Sequence, residues 1–132
     1  MIILDASAAV DLLAERGAEG EWVAGVLVGE ANLAAPHVFD LEVFSALRQL
    51  VARGELLAVR AEEAVRGLMD LRIVRYPVVE LLDRIWQLRD RLTPYDASYV
   101  ALSETLQLPL VTTDRRLARS KGHRAEIVGG PL

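Results

Sequence analysis

The sequence has no cysteine. Disulfides, thiolate zinc sites, iron–sulfur clusters and a cysteine nucleophile are therefore excluded. A reducing compartment fits this absence, and the expected location is the cytoplasm. Long apolar runs are missing as well. The longest stretches without a charged residue, 31–39 and 105–113, are nine residues each, far short of the ~20 that span a membrane. The amino terminus has no basic region, and Asp5 interrupts its only apolar run, so no signal peptide is expected and no membrane partner either. Lysine is nearly absent: fourteen arginines stand against Lys121 alone. Only 5% of residues are aromatic, and the net charge of −4 at first argues against a nucleic-acid partner, because phosphate binding leans on basic surface.

What remains is a soluble, core-forming composition. Apolar residues make up 52% of the 132, which excludes intrinsic disorder and fits one domain over 1–132. There is no repeat or linker. Residues 1–4 form an apolar run of strand type. Ser7 is placed as the cap of a helix over 8–15 that Gly17 ends. A second helix is expected over 19–29 and a strand over 32–35, stopped by Pro36. A helix over 38–53 carries Leu41, Phe44, Leu47, Leu50 and Val51 on one face. Further helices are expected over 60–71, with Ala64, Leu68 and Leu71 inward, and over 79–92, with Val79, Leu82, Ile85, Trp86 and Leu92 on one side. Thr93-Pro94 opens a helix over 95–106. Strands at 72–76, 108–112 and 125–128 and a short helix at 115–120 complete the pattern. Short strands alternating with helices, without hairpins, imply an α/β fold: a parallel sheet of four or five strands with helices on both faces.

In such a sheet ligands bind beyond the carboxyl ends of the strands. Four acids stand there: Asp5 after the first strand, Glu42 in the first turn of the helix after the second, Asp96 in the first turn of the helix opened by Thr93-Pro94, and Asp114 after the strand ending at Thr112. Each alone has an ordinary structural role, as an Asx turn, a favourable helix-dipole charge, a capping box or an N-cap. Together they gather repelling carboxylates at one sheet edge, and a hard divalent cation relieves that repulsion. His37 and His123 are isolated and read as surface or capping residues, so no zinc constellation forms.

The segments Ile3-Leu4-Asp5-Ala6-Ser7, Phe39-Asp40-Leu41-Glu42-Val43, Thr93-Pro94-Tyr95-Asp96-Ala97-Ser98-Tyr99-Val100-Ala101-Leu102 and Leu110-Val111-Thr112-Thr113-Asp114 resemble, in order and across the whole chain, the PIN-domain ribonucleases, and in particular the VapC-type toxins of toxin–antitoxin pairs. The resemblance implies a three-layer α/β/α PIN-like fold and a Mg²⁺-dependent endoribonuclease, with Mn²⁺ as a substitute, that hydrolyses RNA phosphodiester bonds through a metal-activated water. Asp5, Glu42, Asp96 and Asp114 would be the acidic quartet, Asp5 and Asp96 the direct ligands. Ser7 and Thr113 would orient carboxylates or meet a phosphate, and Arg115 and Arg116 would meet the RNA backbone. Implied partners are an antitoxin protein that docks in a groove beside the site, a second copy of the chain in a homodimer, and operator DNA only through the antitoxin.

Other readings carry their own discriminators. A haloacid-dehalogenase-like phosphatase needs a second Asp where this chain has Ser7. A receiver-type domain needs an Asp ending a strand mid-chain, where only Asp70 stands, inside a helix. A non-catalytic PIN-like module would have lost an acid, and all four are present. A PIN nuclease of RNA maturation more often carries additional RNA-binding segments. The charge then reads differently. Without the four assigned acids, fifteen residues of each sign remain, and bound divalent ions would invert the sign that a phosphate meets.

Overall fold

The computed structural model describes residues 1–131. Ile2, Ile3 and Leu4, all buried, form β1 (Ile2–Leu4). Helices α1 (Ala6–Leu13) and α2 (Gly17–Leu27) lead to β2 (Leu33–Pro36). Helices α3 (Phe39–Ala52) and α4 (Ala58–Asp70) lead to β3 (Ile73–Tyr76). A single 3-10 turn at Val79–Leu81 precedes α5 (Leu82–Gln87) and α6 (Pro94–Leu106). The chain closes with β4 (Leu110–Thr112), α7 (Arg115–Ala118) and β5 (Ile127–Gly129).

The five strands form one sheet, wholly parallel, in the order β3-β2-β1-β4-β5. The expected helix-covered parallel sheet is the observed fold. The order reverses between β1 and β4: β2 and β3 are added on one side of β1, β4 and β5 on the other. Such a switch point opens a crevice at the carboxyl ends of the two central strands, because the connections leave in opposite directions. Asp5 follows β1 and Asp114 lies two residues past β4, one on each side of it. The central strands β1, β2 and β4 are buried throughout because both their faces are covered, whereas the edge strand β3 exposes Val74 and Arg75. Helix α1 packs against α2, α3 and α4, while α6 crosses β1, β2 and β4. Phe39, Val43, Leu47, Val100 and Leu102 fill the layers between.

Local details depart from expectation in four places. Asp5, not Ser7, caps α1: its Oδ1 accepts the Ala8 N–H at 2.9 Å. Ser7 sits inside the first helical turn. Gly17, with φ +60, opens α2 and does not end α1. On α3 the inward residues are Phe39, Val43 and Leu47, whereas Leu41 and Phe44 face solvent. The expected helix over 79–92 is broken into the 3-10 turn and α5. Its inward face holds Leu81, Ile85, Leu88 and Leu92, and Val79, Leu82 and Trp86 are 66%, 51% and 67% exposed. Both slips have one physical origin: with apolar residues on adjacent helical faces, composition does not say which face meets the sheet and which stays exposed.

Candidate active site

The site grows from the switch point. Asp5 is almost fully buried, and both carboxylate oxygens are engaged. Oδ1 accepts the Ser7 hydroxyl at 2.8 Å and the Ala8 N–H at 2.9 Å, and Oδ2 accepts the Thr112 hydroxyl at 2.5 Å. No arginine, lysine or histidine pairs with it among the described residues. Burial pushes its carboxyl up to about 6 against the pull of these hydrogen bonds, and Asp114 adds a smaller repulsion. A buried anion without a counter-charge is costly, so Asp5 is held ready for a proton or a cation.

Asp114 caps α7. Its Oδ1 accepts the N–H groups of Arg116 at 2.9 Å and Leu117 at 3.3 Å. Oδ2 accepts nothing among the described residues. The Asp114 N–H donates to Thr112 Oγ1 at 2.9 Å. Asp96 lies in the first turn of α6, which Thr93 caps by accepting the Asp96 N–H at 3.2 Å. Burial raises its carboxyl above the usual range. Asp114 raises it further, and Arg116 opposes both. Glu42, in the first turn of α3, is half-buried and accepts the Tyr99 hydroxyl at 2.7 Å. Its carboxyl is raised first by burial and then by Asp96, against that hydrogen bond. The phenol of Tyr99 is raised in turn by burial and by Glu42, Asp5 and Asp96.

Asp114 thus bears on Asp5 and Asp96, and Asp96 on Glu42, so the four acids lie within electrostatic reach of one another in that order. Among the described residues, no three carboxylate or imidazole side chains converge tightly enough to hold an ion by themselves. The donor set still fits a hard divalent ion. Such an ion takes one or two carboxylates directly and fills its shell with water and phosphate oxygens, and a buried acid of raised pKa gains most from it. Asp40, outside this set, is committed to a two-point pair with Arg75 at 2.7 and 2.8 Å.

The other residues expected at the site divide. Ser7 is at the site, hydrogen-bonded to Asp5 and 3.2 Å from Thr112 Oγ1. Thr113 is beside it: its N–H donates to Ser7 Oγ at 3.3 Å, but its hydroxyl points to Asp11 Oδ2 at 2.6 Å. Arg116 is close enough to Asp96 to affect its charge. Arg115 is exposed on α7 and touches none of the four acids by hydrogen bond or ion pair. Three participants were not singled out from sequence: Thr112, Tyr99 and Asp11. Tyr99 follows Asp96 by three positions, which puts both on one side of α6, and this spacing is a usable signal. Thr112, at the end of β4, meets Asp5 across 107 positions of sequence, and Asp11 meets Thr113 across 102. Nothing local announces either.

Comparison with known proteins gives one consistent answer. The PIN domain family matches residues 2–122. Ribonuclease VapC12 of Mycobacterium tuberculosis is 45% identical over 127 residues, covering 96% of this chain and 97% of that protein. VapC ribonuclease Mb0985 of Mycobacterium bovis is 44% identical over 118 residues, 89% of each. Among solved structures, PAE2754 from Pyrobaculum aerophilum superposes with a TM-score of 0.69 at 27% identity, covering 96% of this chain and 81% of that one. VapBC2 from Rickettsia felis, bound to a DNA fragment of its promoter, gives 0.65 at 14% identity, with 99% and 100% covered, and so shares the fold.

Proposed function

The chain belongs to the PIN-domain family, among its VapC ribonucleases, and from that premise we propose that it is a metal-dependent endoribonuclease, the toxin of a toxin–antitoxin pair, formed by one domain over residues 1–132. The observation that carries this reading is the run of four coupled acids around the switch point, with Asp5 buried and lacking a cationic partner among the described residues. Asp5 and Asp96 would hold Mg²⁺, or Mn²⁺ in its place, directly. Glu42 and Asp114 would complete the outer sphere or hold a second ion. When bound, the ion supplies a water acidic enough to deprotonate near neutral pH and charge stabilisation at the phosphate.

The chain's own residues then have separate tasks. Ser7 and Thr112 orient the two oxygens of Asp5, and Thr112 ties the Asp114 backbone to the same frame. Tyr99 fixes the rotamer of Glu42 from the opposite layer. Arg116, near Asp96, offers a donor to phosphate oxygens. No histidine or lysine base is required, and neither His37 nor His123 belongs to the site.

RNA is the proposed substrate and an antitoxin protein the proposed inhibitor. The apolar groove of about 650 Å³ between α3 and α4, lined by Phe44, Leu47, Val51, Ala61 and Val65, suits an antitoxin segment. The exposed Val79, Leu82 and Trp86 stripe suits a second copy of the chain. Operator DNA would be met through the antitoxin. No helix of the described residues is long and apolar enough to cross a membrane, and the working location is the cytoplasm. The test is RNA cleavage by the purified protein with added Mg²⁺, with EDTA, and with Asp5→Asn protein. Cleavage should require the ion and vanish in the variant. Equal cleavage by Asp5→Asn protein would place the activity elsewhere.

A further inference from the structure

A second feature lies beside the acids. The segment ahead of α6 and the loop after α7 enclose a cleft of about 390 Å³, lined by Arg91, Thr93, Asp96, Arg116, Arg119 and Lys121 among others. All four cations are exposed, and none is ion-paired among the described residues. Asp96 is the one acid in the described lining. Four like charges around one cleft repel unless an anion enters.

The backbone that presents these side chains is held in place. Gly122 has φ +88, a conformation that favours glycine, and a Cβ there would stand 2.5 Å from Arg91 Cδ and 2.6 Å from its Nε. The arginine stem thus lies directly on the glycine backbone. The loop that presents Lys121 and Gly122 is pinned internally. The Ala125 N–H donates to His123 Nδ1 at 3.2 Å, which assigns the ring proton to Nε2, 2.8 Å from Ser120 Oγ, and Ser120 donates to the Leu117 carbonyl at 2.7 Å. The loop's far end is tied by the Arg124 N–H to Glu104, itself held in a two-point pair by Arg84 at 2.7 and 3.0 Å.

We propose that this cleft holds the phosphodiester backbone of the RNA strand adjoining the bond to be cut, and that Arg91 and Lys121 are substrate-binding residues. The assignment rests on the nuclease reading above for what happens to the strand. The cleft shares Asp96 and Arg116 with the acidic site, so a strand lying in it runs directly toward the carboxylates. No aromatic ring lines it among the described residues, and its cationic groups match phosphate charge at every nucleotide whatever the base. It also resolves the charge paradox of the chain: attraction to a polyanion comes from this local arginine-rich wall, not from the net charge.

The experiment measures binding separately from cleavage. Anisotropy of a labelled single-stranded RNA is recorded between 50 and 200 mM KCl, with Asp5→Asn as parent and with Arg91→Gln/Lys121→Gln added to it. Each neutralised phosphate contributes about −0.7 to the slope of log K against log salt. The added pair should therefore flatten the slope by about 1.4 and weaken binding roughly 25-fold at 0.1 M salt, by carrying that slope to 1 M. Gly122→Ala, which displaces Arg91, should flatten it by about 0.7. A matched pair outside the cleft, Arg53→Gln/Arg72→Gln, should change neither. An unchanged slope in the cleft variants, or an equal loss in the matched pair, overturns the proposal even if the wild type cleaves RNA. A flattened slope with no cleavage by the wild type keeps the backbone cleft and removes the nuclease reading.

Discussion

The Thr112 hydroxyl donates to Asp5 Oδ2 at 2.5 Å and accepts the Asp114 N–H at 2.9 Å. One fully buried side chain at the end of β4 thereby sets the relation between the two acids that flank the switch point. Thr112→Val keeps the shape and removes both interactions. Leaving the buried carboxylate oxygen of Asp5 and the part-buried Asp114 N–H without this partner costs about 1–3 kcal/mol for each group, read by urea denaturation. RNA cleavage should fall at least tenfold, and Thr112→Ser should restore most of it. A valine variant as active as the wild type would show that this hydroxyl has no part in placing the acids.

Asp5→Asn separates function from stability. Holding a carboxyl at about 6 instead of near 3.9 penalises its anion by about 3 kcal/mol at pH 7. The sign is set by the raised value: stability is greatest below the unfolded pKa, where Asp5 is protonated in both states, and declines as pH rises through 6. The metal-free wild type should therefore melt at lower temperature at pH 7 than at pH 5 on account of this group. An asparagine in place of Asp5 accommodates the same network, accepting from Ser7 and Ala8 and donating to Thr112 Oγ1, whose own proton turns to Ser7. The variant should be inactive yet more stable than metal-free wild type at pH 7, with the gap closing toward pH 4. Calorimetry across that range checks it.

The architecture was legible because the strands are short and mostly apolar, each bounded by a turn or cap, and their alternation with helices leaves one class of answer. The four acids were legible for a related reason: strand ends in a parallel sheet all point to one edge, so position in sequence translates into position in space. Which apolar face of α3 and α5 turns inward was not legible, because Leu41, Phe44, Leu82 and Trp86 share their helices with the inward Val43, Leu47, Ile85 and Leu88, and apolar residues on both sides leave the helical period ambiguous. Thr112 and Asp11 were invisible because their meaning depends on partners more than a hundred residues away. Arg91 belongs with them: its role arises only where Gly122 folds back beneath it.

Proton and metal compete for Asp5. Below about 6 its carboxyl is protonated in the absence of an ion, and the raised values of Asp96 and Glu42 act in the same direction. The apparent affinity for Mg²⁺ should therefore weaken by up to about tenfold for each pH unit below 6. Titrating the rise in melting temperature with Mg²⁺ at pH 5, 6, 7 and 8 measures this without relying on cleavage. Asp5→Asn protein should show little of the pH dependence. An affinity that is flat from pH 5 to 7 in the wild type would remove Asp5 as a ligand.

The exposed apolar stripe of α5 and the turn before it calls for burial. Val79, Leu82 and Trp86 recur at spacings of three and four, on the side away from the inward Leu81, Ile85 and Leu88. Arg89 lies 4.5 Å over the Trp86 ring and leaves it 67% exposed. Pairing of two copies about a two-fold axis would bury the stripe on both, so a single substitution removes two side chains from the interface. Losing a buried leucine or tryptophan contributes about 1.5–3 kcal/mol each time, hence about 3–6 kcal/mol per dimer, or roughly a hundredfold to ten-thousandfold in Kd. The wild type should sediment as a dimer at micromolar concentrations, and Leu82→Glu and Trp86→Glu as monomers. Both positions are at the surface, so the circular dichroism and melting temperature of the monomer should stay near those expected for the fold. A wild type that sediments as a monomer at about 100 µM, equivalent to less than about 5.5 kcal/mol of association, would remove the second copy as the cover of this stripe.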